Sequence, residues 1–189
     1  MKTLVTTFTI FFGIQCLAGF IVEPFLGYNT GSTKLTATTG EVAKSTNSGL
    51  DYGLRLGYLF GQSFWTAAEY TGGSGKDKGS SSEEDYARTA TGILVGYKVN
   101  KYNFWAGYGI SDKVTYKLTD AEIYYSGTNM KFGFGQFFAN HVAVNVELII
   151  PKYTKFGSGS RELNIADEFK GMDVTYASIS VSFPFGYGK

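Results

Sequence analysis

Alternation with a period of two runs through nearly the whole chain from Phe20 onward, and it limits the possible folds more than any other feature. Successive side chains of a strand point to opposite faces, so a sustained period of two reads as strand and leaves little room for helix. In the stretch 49–60, Leu50, Tyr52, Leu54, Leu56, Tyr58 and Phe60 share one face, while Asp51, Gly53, Arg55 and Gly57 share the other. The same division recurs in 20–29, 64–71, 87–99, 103–110, 127–135, 142–150 and 176–185. That makes about eight segments, each near the length at which a tilted strand crosses a bilayer.

The two faces differ in kind. One holds Leu, Val, Ile and rings; the other collects Gly, Ser, Asn and nearly every charge within the strands. A charge facing hydrocarbon at mid-depth costs about 2–4 kcal/mol, so the charged face is expected to point into a closed barrel and the apolar face to meet lipid. Apolar-face aromatics fall near the strand ends, where a ring suits the membrane interface. Phe60, Phe64, Tyr102, Phe104, Phe138, Phe183 and Phe185 are expected at one rim, and Tyr28, Tyr52, Tyr70 and Tyr108 at the other. A soluble lipocalin-like carrier is the rival fold; it needs the opposite orientation, with apolar side chains inside.

Turn positions test that orientation. A hairpin centred on Gln62 sets Arg55 opposite Glu69, and one centred on Ala139 sets Lys131 opposite Glu147. The link Asn100-Lys101 aligns Lys98 with Asn103 and Gly96 with Trp105. Two opposite-charge pairs thus arise inside the bore, where a lone charge is expensive. Glu23, Arg88, Asn129 and Asn145 are expected to join them, and inward glycines to leave room for Trp65 and Trp105. Connections alternate as well. Polar stretches follow the first, third and seventh strands (31–48, 72–86, 154–171), with a hairpin region at 111–126, while tight links lie between them. Short turns on one rim and long loops on the other mark an up-and-down barrel in a membrane.

Composition excludes several classes. With 17 Lys+Arg against 16 Asp+Glu there is no charge excess to attract nucleic acid, and one cysteine excludes disulfide scaffolds and cysteine metal sites. Met1-Lys2, the apolar stretch 4–17 and the small residues Cys16 and Ala18 have the layout of a secretory signal peptide, with cleavage expected after Ala18. A lipid-bearing Cys16 is the alternative. Residues 19–189 then form one barrel domain.

Val22-Glu23-Pro24-Phe25-Leu26-Gly27-Tyr28 near the start and Ser178-Ile179-Ser180-Val181-Ser182-Phe183-Pro184-Phe185 near the end resemble the OmpA/OmpX-like family of eight-stranded outer-membrane β-barrels, over essentially residues 19–187. The resemblance implies an all-β, eight-stranded antiparallel up-and-down transmembrane barrel in the outer membrane of a Gram-negative-type bacterium, with short periplasmic turns and long extracellular loops. It also implies outer-membrane lipid and the barrel-insertion machinery as partners, the latter reading the closing strand to its final aromatic. The family pattern stops at that aromatic, whereas this chain continues through Gly186-Tyr187-Gly188-Lys189; Tyr187 shares the parity of Phe183 and Phe185 and is an alternative terminal aromatic. Pro24 and Pro184 suggest bulges at the seam of first and last strands.

Candidate chemistry is sparse. Some barrels of this size resemble lipid A deacylases, which need a Ser–His–acid set, but the position two after His141 carries Ala143. Glu83-Glu84-Asp85 lacks the spacing of a calcium loop, and Gly72–Lys76 lacks the Walker spacing and its helix. In 111–126, Val114, Tyr116 and Leu118 continue the outward parity of the fifth strand, Thr119-Asp120-Ala121 forms a tip and Ile123 leads back. Such a hairpin would project as a small sheet whose free edge binds a surface protein by strand addition, or would be a plain strand extension. The expected function is a non-enzymatic structural barrel with a side-chain-filled interior, exposed loops and no cofactor. A narrow pore for small solutes and an adhesin-like surface-contact protein are the alternatives.

Overall fold

A computed structural model describes residues 19–79, 82–118, 122–159 and 161–187. Seven long antiparallel strands follow one another: β1 (Phe20–Ala37), β2 (Val42–Phe60), β3 (Phe64–Lys78), β4 (Glu83–Val99), β5 (Tyr102–Lys117), β6 (Glu122–Ala139) and β7 (Val142–Ser158). A short β8 (Arg161–Asn164) and a single turn of helix, α1 (Ile165–Glu168), precede β9 (Phe169–Ser182). Consecutive long strands pair as hairpins, and β9 pairs with both β7 and β1, closing an eight-stranded ring to which β8 is appended on β7. The expected N-terminal signal segment and the tip at 119–121 lie outside the described residues.

The apolar face is outside. Leu50, Tyr52, Leu56, Tyr58 and Phe60 are all exposed on β2, as are Ile93, Val95 and Tyr97 on β4 and Val146, Leu148 and Ile150 on β7. Between them Asp51, Arg55, Leu94, Glu147 and Ile149 are buried. From Leu50 to Phe60, ten steps of about 3.3 Å at a tilt of about 40° span about 25 Å, the height of a lipid-facing band. The structure is a transmembrane barrel, and its greasy belt is the membrane-spanning part.

The loops differ from the sequence expectation. Most of the polar stretches at 31–48 and 72–86 are strand: β1 and β2 stay in register to Thr36↔Val42, and β3 and β4 to Lys78↔Glu83. Strands of 14–19 residues exceed what a bilayer requires, so the wall continues well beyond the lipid belt. These segments carry few apolar outward residues, Val42 among them, because they face water, which made them resemble loops. Yet they keep strand-compatible Thr and an unbroken pleat.

Bulges displace the register and parity read from sequence. Register shifts occur between Gly109 and Asp112 on β5, between Ser126 and Gly127 on β6 against β7, and between Phe137 and Ala139. Ile110 and Ser111 both face out, so the next inward residue is Asp112, and Val114 and Tyr116 follow it inward, at 1% and 8% exposure. The outward parity expected for Val114 and Tyr116 is therefore corrected; Leu118 is exposed and Ile123 half-buried. Among the described residues of this hairpin the expected free edge is absent as well. β5 pairs with β4 on one side and β6 on the other as far as Lys117, and Ile123 is already paired with Ser158.

The ring is looser at one place. β7 and β9 pair from Ala143↔Ser182 only to Ile149↔Tyr176, and above that point they diverge. Pro151, which has no N–H to offer a ladder, stands at the divergence. The helix α1 covers it, with Ile165 buried beside Tyr153, Val174 and Tyr176.

Candidate functional site: the interior of the barrel

The inward residues form three layers. At the short-turn end, Ile21, Leu59, Trp65, Leu94, Trp105 and Tyr187 make an apolar plug. Both indoles fit because glycine stands across from them: a Cβ at Gly96 would overlap the Trp65 ring, and one at Gly133 the Trp105 ring. Each indole N–H is satisfied, Trp65 Nε1 donating to Asn103 Oδ1 at 2.8 Å and Trp105 Nε1 to Glu147 Oε1 at 2.9 Å. Tyr187 corrects the alternative in which it closes the outer girdle. Gly186 adopts φ +90, a left-handed value open to glycine, and turns the tail into the bore. There the Tyr187 hydroxyl donates to Glu23 Oε2 at 2.8 Å and the ring meets Trp65 edge-on at 5.9 Å.

The middle layer is ionic. Arg55, fully enclosed, reaches three carboxylates: Glu23 at 3.0 Å, Glu69 at 2.8 Å and Glu147 at 2.7 Å. Its guanidinium also lies 4.8 Å from the Trp105 ring centre and 4.9 Å from that of Phe25. Lys131 Nζ donates to Glu69 Oε1 and lies 3.7 Å from Glu147 Oε2. The β2–β3 register sets Arg55 directly against Glu69, as the turn at Gln62 implies. The expected opposition of Lys131 and Glu147 does not occur. The turn falls at Asn140-His141, the β6 bulge intervenes, and Lys131 faces Ile149 while Gly133 faces Glu147. The long lysine stem recovers the contact diagonally.

The middle layer continues above this in a second polar tier, where the expected inward residues Arg88 and Asn129 meet Asp112, which the sequence reading did not single out. Arg88 donates through Nε and Nη2 to both oxygens of Asp112 at 3.0 and 2.6 Å, a two-pronged geometry suited to guanidinium and carboxylate. Asn129 and Tyr153 also donate to Asp112, and Asn29 donates to Asp51 at 2.7 Å. Asp112 was concealed by the bulge; Asp51 and Asn29 already stood on the inward parity. Asn145 donates to Ser182 Oγ at 2.9 Å. Lys98 is at the short-turn rim, its Nζ donating to the Tyr187 carbonyl at 3.0 Å.

The third layer closes the long end. Tyr86, Val114, Tyr116, Ile149, Tyr153, Val174 and Tyr176 pack together, with Tyr125 and Phe156 against them. Burial pushes the Tyr116 hydroxyl up from its ordinary range, which keeps it a donor to Asp77 Oδ2 at 2.9 Å. Outside, Lys76 meets Glu83 and Lys155 meets Glu162, each at 2.6 Å, and both glutamates are held below the usual carboxylate range by their lysines.

The expected girdle aromatics are on the outer surface: Tyr28, Tyr52, Phe60, Phe64, Tyr70, Phe104, Tyr108, Phe138 and Phe183 are exposed, and Tyr102 and Phe185 half-buried. Tyr58 and Tyr97 join the short-turn rim. His141 sits at the same rim, its Nδ1 3.1 Å from the Pro184 carbonyl and its ring stacked 5.2 Å from that of Phe185. It holds the end of the last strand.

No protein-family model matches the chain, and no curated protein sequence does. Solved structures do match. Ail, the attachment invasion locus protein of Yersinia pestis, in complex with the heparin analogue sucrose octasulfate, superposes with TM-score 0.59 at 10% identity, over 88% of this chain and 99% of that one. The outer membrane protein OprG from Pseudomonas aeruginosa superposes with TM-score 0.52 at 12% identity, over 89% and 96%. At such identities the likeness is one of fold. The chain has the fold of the small eight-stranded β-barrels of bacterial outer membranes.

Proposed function

We propose that this chain is an exported outer-membrane protein that acts as a closed, anchored scaffold rather than a conduit, presenting the wall beyond its lipid belt at the cell surface. The observation that carries this reading is the filling of the bore at three levels: the Trp65–Trp105–Tyr187 plug, the Arg55 ion network and the tyrosine layer. Eight strands leave an interior that side chains can fill, and here they do. The outward apolar belt, the aromatic rims and the likeness to outer-membrane barrels support the location; the layout of residues 1–18 supports export with cleavage after Ala18. The alternating closing strand supports insertion by the barrel-assembly machinery, and no cofactor or catalytic set is part of this reading.

Planar-bilayer recording tests it. The folded protein is expected to give no steady conductance, and reproducible channel steps at ordinary voltages would overturn the closed reading in favour of a narrow pore. A surface-contact role is the second reading. It is favoured by the strand extensions, which build a polar rigid wall above the membrane, and by the fold shared with a protein named for attachment. Such a contact would use the tips and outer faces, since the described residues of the 111–126 hairpin present no free edge.

A further inference from the structure

Beyond the closed scaffold, the wall above the lipid belt carries a cationic cleft. Lys34 on β1, Lys44 on β2 and Lys78 on β3 line it with Ser32, Ser45 and Thr46, around a volume of about 480 Å³, and no carboxylate is among its lining residues. Lys34 and Lys44 are direct partners across the β1–β2 ladder, while Lys78 faces Thr46 across the β2–β3 ladder and so lies diagonal to Lys44. All three are exposed, and Lys44 also borders the mouth of the bore. Like charges directly opposite on a ladder destabilise it. The acids across the ladders do not relieve them. Asp173 faces Lys34 and Glu83 faces Lys78, yet among the described residues none of the three lysines forms an ion pair of 4.0 Å or less, and Glu83 is held by Lys76 at 2.6 Å. An anion with several oxygens would offset the repulsion by accepting from all three.

Height decides which anion. Leu50, opposite Tyr28, ends the continuous apolar face of β2. Thr46 and Lys44 stand four and six residues beyond it, which at about 3.3 Å per residue and a tilt of about 40° places them about 10 and 15 Å above the belt. A phospholipid head group adds only about 5–7 Å to each side of the hydrocarbon core. The cleft therefore lies above an ordinary phospholipid head and level with a taller one built of sugars. Its side chains point sideways from the wall, toward neighbouring lipid in the outer leaflet. We propose that the cleft binds the phosphorylated saccharide head of an outer-leaflet glycolipid, with phosphate oxygens accepting from Lys34, Lys44 and Lys78 and sugar hydroxyls bonding to Ser32 and Thr46. The proposal uses the outer-membrane location and not the closure of the bore.

The test uses the whole folded barrel in phosphatidylcholine nanodiscs, titrated with the phosphorylated core oligosaccharide released from lipopolysaccharide while backbone amide shifts are followed. Saturable shifts are expected at Lys34, Lys44, Thr46 and Lys78. Combining Lys34→Gln, Lys44→Gln and Lys78→Gln should weaken binding about tenfold or more, as should removing the phosphates from the sugar with phosphatase. Lys34→Gln alone, a single exposed change that keeps the fold, should weaken it about threefold. Lys152→Gln, on β7 and outside the cleft, should bind like the wild type. Undiminished binding by the lysine variants, or equal binding of the dephosphorylated sugar, would overturn the proposal. Tighter binding of a heparin fragment would overturn it in favour of a soluble sulfated polyanion, and the same shifts from phosphatidylglycerol in the disc without sugar would overturn it in favour of an ordinary anionic lipid. Its failure leaves the closed-barrel reading intact, because conductance does not depend on it.

Discussion

Arg55 has no exposed surface and touches Glu23, Glu69 and Glu147 at once, so its charge belongs to the interior as a whole. Replacing a buried charge in such a network leaves its partners unpaired in a medium that solvates them poorly. Arg55→Met is therefore expected to destabilise the barrel by about 3–5 kcal/mol, read as the shift of a guanidinium unfolding midpoint in lipid vesicles. Arg55→Lys keeps the charge but lacks the planar fork that serves three carboxylates, so an intermediate loss is expected. A wild-type midpoint for Arg55→Met would contradict the network's role. This residue and Glu69 were legible in the sequence because one short turn, Gly61-Gln62-Ser63, fixes their register without a bulge. Lys131 was legible as an inward cation but not in its register, because the bulge beside Phe138 moves every pair on that hairpin.

At the scale of the element, the membrane portions of the strands were readable because lipid on one side and a crowded bore on the other enforce opposite chemistries. Above the belt that contrast fades, and the Gly109–Asp112 bulge inverts the parity of β5 unseen. The inversion is testable: Val114→Asp is expected to place an unpaired carboxylate among Tyr86, Tyr116 and Tyr153 and to lower stability by about 2 kcal/mol or more, whereas Lys113→Asp, one residue away and outward, should change it little. The reverse ranking, from the same unfolding curves, would restore the outward reading.

The β7–β8 hairpin gives a pH-dependent case. Glu162, held below its ordinary range mainly by its hydrogen bond from Lys155, has a depressed folded value, so its stabilising contribution is present above the usual glutamate range and is lost as pH falls through that lowered value. Amide exchange at residues 155–158, corrected for the intrinsic pH dependence, should show less protection on acidification, and Glu162→Gln should remove that dependence. Unchanged protection would show that the hairpin does not use this pair.

At the scale of the whole molecule, an eight-stranded ring has two sides and two solvents to choose from. The sequence pattern and the structure assign the apolar side to lipid and the charged side to the bore. Leu148 and Ile149 are adjacent in the chain and alike in chemistry, yet Leu148 is 43% exposed and Ile149 1%; Ile93 and Leu94 repeat the contrast at 52% and 2%. The most direct measurement is methyl relaxation in bilayers carrying a nitroxide on the acyl chains. Strong broadening is predicted for Leu56, Ile93, Val95, Val146 and Leu148, with Ile21, Leu94 and Ile149 left sharp. Equal broadening of the two sets, or broadening of the inner set alone, would contradict the orientation.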